Sequence, residues 1–272
     1  MRLKDRVAIV TGGGGGLGEG ISLCLAREGA HVVVSDAKLD LAEKVAVKVR
    51  ATGQKALAVK TDVRFNKECE DLVAVSLKEF GKIDILICNA GVSGFVHRRE
   101  STEPPILESI SEEDWDLTID VNLKGVFLCN KAIAPYFKEQ KKGKIINISS
   151  IGGRKGVDFI PHYSASKAGV IVMSQSIALQ LAPYNVNVNT VCPGIIWTPM
   201  WDEASKVLAS SYPAFHGMTP DQVFQAVVGS MIPLRRPQTP EDIGNMVVFL
   251  ASDDAKEITG QAINVDGGSI FS

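Results

Sequence analysis

Seven short β-branched runs recur along the chain with helical segments between them, and this alternation constrains the fold more than any other feature. The runs are Val7–Val10, His31–Ser35, Ala56–Thr61, Ile83–Cys88, Lys144–Ser149, Val186–Val191 and Ala262–Val265. Most are apolar throughout, the pattern of strands covered on both faces. Helical periodicity fills Gly16–Glu28, Leu39–Ala51, Lys67–Phe80, Glu112–Gln140, Ser164–Leu181 and Pro240–Leu250. Repeated β–α order with right-handed crossovers predicts an α/β fold. It is a doubly wound parallel sheet of about seven strands with helices on both faces. No Pro/Gly/Ser-rich linker divides the chain, so residues 1–272 are expected to form a single domain.

Composition narrows the function classes. Hydrophobic residues make up 45%, enough for a sizeable core, and the formal net charge of −2 gives no basic excess for nucleic acid. The densest basic run, Lys138 to Lys144, reads as a solvated helix end before a strand. No stretch approaches the ~20 apolar residues of a spanning helix. The apolar run after Arg6 stops at Thr11, too short for a signal peptide. Cys24, Cys69, Cys88, Cys129 and Cys192 show no CxxC spacing and lie in apolar stretches, so they read as core residues of a reducing compartment, with no metal site. A cytoplasmic protein with no membrane or nucleic-acid partner is expected.

Two segments break the rhythm. Val92–Ser111 is polar with Pro104-Pro105 and is expected to be a loop. Residues 198–234 hold Pro199, Pro213 and Pro220 with Trp201, Tyr212 and Phe215. Ligands of open α/β sheets bind beyond the carboxyl ends of the strands, so this insertion is a candidate substrate lid.

The first strand runs straight into Gly12-Gly13-Gly14-Gly15-Gly16-Leu17-Gly18 and then a helix. Glycine lets backbone approach a pyrophosphate, and a helix N-terminus favours its charge. Gly13, Gly15 and Gly18 satisfy GxGxxG; Gly12, Gly16 and Gly18 satisfy TGxxxGxG. Asp36 ends the second strand, where a carboxylate accepts hydrogen bonds from an adenosine ribose diol and repels a 2′-phosphate. The first basic residue beyond it is Lys38, so the electrostatics favour NAD over NADP. Asp62-Val63 follows the third strand, where an adenine edge would lie, and Asn89-Ala90-Gly91 follows the fourth.

Tyr163 and Lys167 stand at i, i+4 near the start of a helix, on one face. A phenol with a pKa near ~10 is a poor base at neutral pH, and a neighbouring cation lowers that value. Tyr163 then suits general acid/base work on a carbonyl or alcohol. Ser150 closes the fifth strand, where its hydroxyl can orient a substrate oxygen. Asn122 lies inside an apolar helical run, where asparagine is unfavourable; a buried partner or a helix kink explains it.

Together these residues resemble the short-chain dehydrogenases/reductases. The matching elements are Thr11-Gly12-x-x-x-Gly16-x-Gly18, Asp62, Asn89-Ala90-Gly91, Asn122, Ser150, Tyr163-x-x-x-Lys167, Pro193-Gly194-x-x-x-Thr198 and Asn264-Val265-Asp266-Gly267-Gly268. The resemblance implies a Rossmann sheet, and it settles the glycine register on Gly12, Gly16 and Gly18, with Leu17 between the last two. It implies that Tyr163 is the catalytic acid/base and that Lys167 lowers its pKa and binds the nicotinamide ribose. Ser150 would hold the substrate oxygen, and Asn122 a water leading from Lys167 to a proton relay. Asn89, Asp62 and Val63 would lie at the adenosine half of an NAD cofactor, Ile196 and Thr198 at the carboxamide. A homotetramer or dimer is implied, with the helices carrying Asn122 and Tyr163 at an interface. Gly14 and Gly15 depart from the Ser or Arg that many members carry there.

For the substrate, a small-molecule secondary alcohol (diol, polyol or related) and its ketone come first, by likeness of Thr198–Trp201 and the lid to polyol and butanediol dehydrogenases. A 3-oxoacyl thioester reductase and a cyclic or dihydrodiol dehydrogenase are the alternatives; a silent NAD-binding scaffold does not fit the retained tetrad. Candidate pocket walls are Ile151, Gly152, Phe159, His162, Trp197, Met200 and Trp201, with Phe159 and Met200 expected to serve as lid or core packing and His162 a structural role.

Overall fold

The computed structural model describes residues 1–94 and 107–271. The strands are β1 (Val7–Thr11), β2 (His31–Asp36), β3 (Ala56–Lys60), β4 (Ile85–Cys88), β5 (Gly143–Ile148), β6 (Val186–Pro193) and β7 (Ala262–Val265). They form one sheet in the order β3-β2-β1-β4-β5-β6-β7, and every pairing is parallel. The order reverses between β1 and β4. Connections leave in opposite directions there, and a crevice opens beyond the strand ends.

The alternation of side chains sorts the core into two layers. Ala8, Val10, Val32, Val34, Ile85, Ile87, Ile146 and Ile148 face α1 (Gly16–Arg27), α2 (Leu39–Arg50) and α9 (Pro240–Ala251). Ile9, Val33, Leu86, Cys88, Ile145 and Val188 face α3 (Asn66–Phe80), α5 (Gly125–Gln140) and α6 (Pro161–Leu181). A central strand with an apolar layer on each side needs no polar face, which is why these runs read as continuous.

The long helix expected over 112–140 is interrupted. It comprises α4 (Glu112–Ile119), a π-helical turn over Asp120–Lys124 and α5. Asn122 sits in that turn, fully buried, and its amide bonds explain the kink. The insertion at 198–234 is not irregular either: it holds α7 (Pro199–Ser211) and α8 (Pro220–Met231). Pro199 and Pro220 begin its helices, because a missing N–H costs nothing in the first turn. Lys144 corrects the reading of the basic run. It is a buried residue of β5, and its ammonium donates to Asn187 Oδ1 at 2.7 Å. The five cysteines are buried and unpaired by disulfides. No helix among the described residues is long and apolar enough to cross a membrane. Most of the expected 92–111 loop lies outside the described residues; Leu107–Ser109 forms a short 3₁₀ turn.

Helices α1 and α9 meet through Gly20, where an added Cβ would stand 2.3 Å from Pro240 Cβ. Gly20→Ala is therefore expected to lower the urea midpoint with an unchanged m-value, at a cost of about 1–3 kcal/mol. An unchanged midpoint would show that the two helices separate freely.

Candidate active site

A cavity of about 760 Å³ runs along the carboxyl ends of the strands, from the glycine turn to the α7–α8 insertion. One end is built by the glycines. Gly12 has φ +60°, and an added Cβ would stand 2.7 Å from Ala90 Cα, so only glycine makes this turn beside the end of β4. Across the turn, a Cβ on Gly18 would lie 2.1 Å from Gly12 O. The turn leads directly into α1, whose N-cap Gly15 carries no capping side chain. The first N–H groups of α1 thus meet an approaching anion without competition.

Asp36 ends β2 at the same rim. Its Oδ2 accepts from Gly14 N and its Oδ1 from Lys38 N, both at 3.0 Å. A Cβ on Gly14 would sit 2.8 Å from Asp36 Oδ2. The departure at Gly14 therefore has a physical reason: a bare backbone lets the carboxylate lie against the turn. Each oxygen keeps acceptor capacity toward the cavity.

Asn89 lines the cavity, but its amide serves the turn. Nδ2 donates to Thr11 O at 3.1 Å and to Gly12 O at 2.9 Å. Asp62 and Val63 do not line the cavity. Asp62 is gripped by Arg64 through both carboxylate oxygens, and that guanidinium holds its carboxyl below the usual range. Val63 is buried against Gly125. Leu17, Ile196 and Thr198 do line it; Thr198 caps α7 and lies opposite Gly16.

In the middle of the cavity stand Ser150, Tyr163 and Lys167. Ser150 follows β5, and its Oγ accepts from Gly152 N at 3.0 Å. A Cβ on Gly152 would touch both Tyr163 Cε1, at 3.3 Å, and Ser150 Oγ, at 3.5 Å, so the phenol and the hydroxyl share one small space. The Lys167 ammonium is buried 5.8 Å from the centre of the Tyr163 ring. It donates to Ile148 O at 3.1 Å, and Ser149 Oγ donates to Lys167 O at 2.7 Å, tying α6 to the end of β5.

The protonation energetics differ from the expectation. Burial pushes the Tyr163 phenol up, and the hydrogen bond from Ser150 offsets only part of this. Burial also pulls the Lys167 ammonium down to about 8. In the chain alone, then, Lys167 does not lower the phenol below its ordinary value.

Asn122 stands behind this group. Its Oδ1 accepts from Val92 N at 2.8 Å, and its Nδ2 donates to Val92 O at 3.0 Å and to Ser166 Oγ at 3.3 Å. A Cβ at Gly91 would lie 3.3 Å from Asn122 Oδ1 and 3.4 Å from Lys167 Nζ, so Gly91 keeps the gap between them open.

Of the expected walls, Ile151, Gly152, Phe159, Met200 and Trp201 line the cavity; Phe159 also packs against the α7–α8 cluster, and Met200 lies on α7. Trp197 instead stacks edge-on against Phe224 at 4.8 Å. His162 is buried, with Nε2 at 3.0 Å from Gly94 O, in the structural position expected of it. Tyr212 and Phe215 of the expected lid also line it, whereas Leu208, Val227 and Met231 were not expected. The helical periodicity of 199–211 and 220–231 is the signal that would have found those three.

With the site in place, the relatives can be set beside it. The enoyl-(acyl carrier protein) reductase family model matches residues 13–269. The (2S)-[(R)-hydroxy(phenyl)methyl]succinyl-CoA dehydrogenase subunit BbsD of Thauera aromatica is 36% identical over 100% of this chain and 99% of its own. The 3-oxoacyl-[acyl-carrier-protein] reductase FabG of Thermotoga maritima is 34% identical over 100% of each. The structure of NAD+-bound xylitol dehydrogenase superposes with a TM-score of 0.90 at 30% identity, covering 98% of this chain and 100% of that one. The chain belongs to the short-chain dehydrogenase/reductase family. It is an oxidoreductase acting on a CH–OH group, and its cofactor class is a nicotinamide dinucleotide.

Burying the Lys167 ammonium predicts a pH-dependent stability. The unfolded lysine holds its proton up to its ordinary value of ~10.4, while the folded one releases it near 8. Between these values the unfolded state binds more protons, so unfolding free energy rises with pH. Denaturant titrations should show wild type gaining on Lys167→Met from pH 8 to about 10. A constant gap would mean that the ammonium is not buried.

Proposed function

We propose that the chain is an NAD(H)-dependent dehydrogenase that interconverts a secondary alcohol and its ketone, with Tyr163 as the general acid/base. The observation that carries this reading is the convergence of Ser150, Tyr163 and Lys167 on the middle of a cavity that begins at the glycine turn. A bound nicotinamide supplies the acceptor or donor for the hydrogen and electron pair of the carbinol C–H bond. The chain's own residues handle the proton and the geometry.

Gly12, Gly16, Leu17 and Gly18 cradle the pyrophosphate, and Asp36 takes the adenosine ribose hydroxyls. Ile196 and Thr198 hold the carboxamide, and Lys167 the second ribose. Ser150 orients the reacting oxygen, while Tyr163 takes its proton in oxidation and returns it in reduction. Asn122 walls the gap beside Lys167 that Gly91 leaves open for proton exchange. Asp62 and Val63 fall outside this set, because neither lines the cavity. The charge on Asp36 supports NAD over NADP. Helices α7 and α8 serve as the lid. The homotetramer or dimer finds its apolar contact surface in Trp115, Phe127 and Val172, exposed on α4, α5 and α6. The buried thiols support a reducing, cytoplasmic setting.

Tyr163→Phe is expected to lower kcat by about 10²- to 10⁴-fold while leaving the affinity for NADH unchanged. Asp36→Asn should narrow the kcat/KM preference for NAD over NADP. Turnover that survives in Tyr163→Phe would remove the proposed acid/base.

A further inference from the structure

Beyond Tyr163 the cavity changes character. Its floor is Leu208 and Val227, both buried in the α7–α8 apolar cluster. Phe159 and Tyr212 form a side wall, ring centroids 6.2 Å apart and nearly perpendicular. Trp201 forms another, braced edge-on against Phe224 at 5.7 Å.

The polar inventory at this end is short. Ser230 lines it, but its hydroxyl donates to Val227 O at 3.0 Å. Asp158 is exposed at the rim, and Tyr212 carries one phenol. Lys38 and Lys167 are the cations lining the cavity among the described residues; the former belongs to the glycine-turn end, and the latter lies behind Tyr163. Among the described residues, a carboxylate or phosphate placed beyond Tyr163 would find no positive partner lining the cavity there. A polyol would bury hydroxyls against carbon, with Ser150 and Tyr163 already serving the reacting oxygen. An aryl ring, by contrast, would meet aromatic edges and aliphatic floor.

We infer that this end takes a neutral secondary alcohol or ketone whose reacting carbon carries a compact aromatic or alicyclic group. The inference rests on the reaction proposed above, but binding tests it separately. In oxidation the O–H proton goes to Tyr163, the C–H hydrogen leaves with its electron pair for NAD+, and the products are the ketone and NADH.

Steady-state assays with NAD+ would compare 1-phenylethanol and cyclohexanol with xylitol; assays with NADH would use acetophenone and acetoacetyl-CoA. Calorimetry on cofactor-free protein would measure acetophenone binding to wild type, Tyr163→Phe and Phe159→Ser. The expected kcat/KM advantage of the ring alcohols over xylitol is on the order of 100-fold. Acetophenone should bind wild type and Tyr163→Phe alike, and Phe159→Ser about tenfold more weakly. A preference for xylitol or acetoacetyl-CoA would overturn the inference and leave the reaction standing. Ring compounds that bind but never turn over would remove the reaction and leave the apolar subsite standing. Neither binding nor turnover of ring compounds would overturn both.

Discussion

The buried ammonium of Lys167 organises this site. The Lys167 ammonium reaches one backbone acceptor, Ile148 O, and otherwise faces the phenol ring and the cavity. A charge so placed is costly, and the fall of its pKa to about 8 records that cost. The fold sustains it by fixing both sides. Strand β5 delivers Ile148, Ser149 and Ser150 in sequence, and α6 delivers Tyr163 and Lys167 one turn apart. The bond from Ser149 Oγ to Lys167 O fastens one to the other. The crevice exists because the strand order reverses between β1 and β4, so the glycine turn opens into the same space.

The Tyr163 phenol is raised by burial in the protein alone. In the proposed reaction this would tie catalytic competence to cofactor occupancy. The positive charge of an oxidised nicotinamide beside a desolvated phenol acts in a low-dielectric space, where it counts for more than in water. An enzyme without cofactor would then keep its phenol protonated, and the base would form where it is used. In the proposed reaction the apolar α7–α8 insertion would add to this by keeping water from the reacting carbon.

How much of this the sequence disclosed depends on how local the signal was. The seven strands, and the burial of the central ones on both faces, followed from apolar runs, with ends shifted by a residue or two, as at β4. The glycine turn, Asp36, Ser150, Tyr163 and Lys167 were legible because each sits at a strand end or helix start, where the backbone dictates its place. Asn122 signalled a break in the helix, and the π turn supplied it. The two helices of the insertion went unread because Pro199 and Pro220 looked like interruptions, when each opens a helix. Leu208 and Val227 were hidden for the same reason. The direction of the Tyr163 shift was also out of reach, since desolvation depends on how many layers cover a side chain and not on its spacing from a lysine.

The most direct measurement is an ultraviolet titration of tyrosinate, wild type minus Tyr163→Phe, with and without saturating NAD+. Without cofactor, Tyr163 should ionise above its ordinary value of ~10; with NAD+ bound, it should ionise well below that value. A Tyr163 signal that stays above its ordinary value with NAD+ bound would contradict the electrostatic basis of the site.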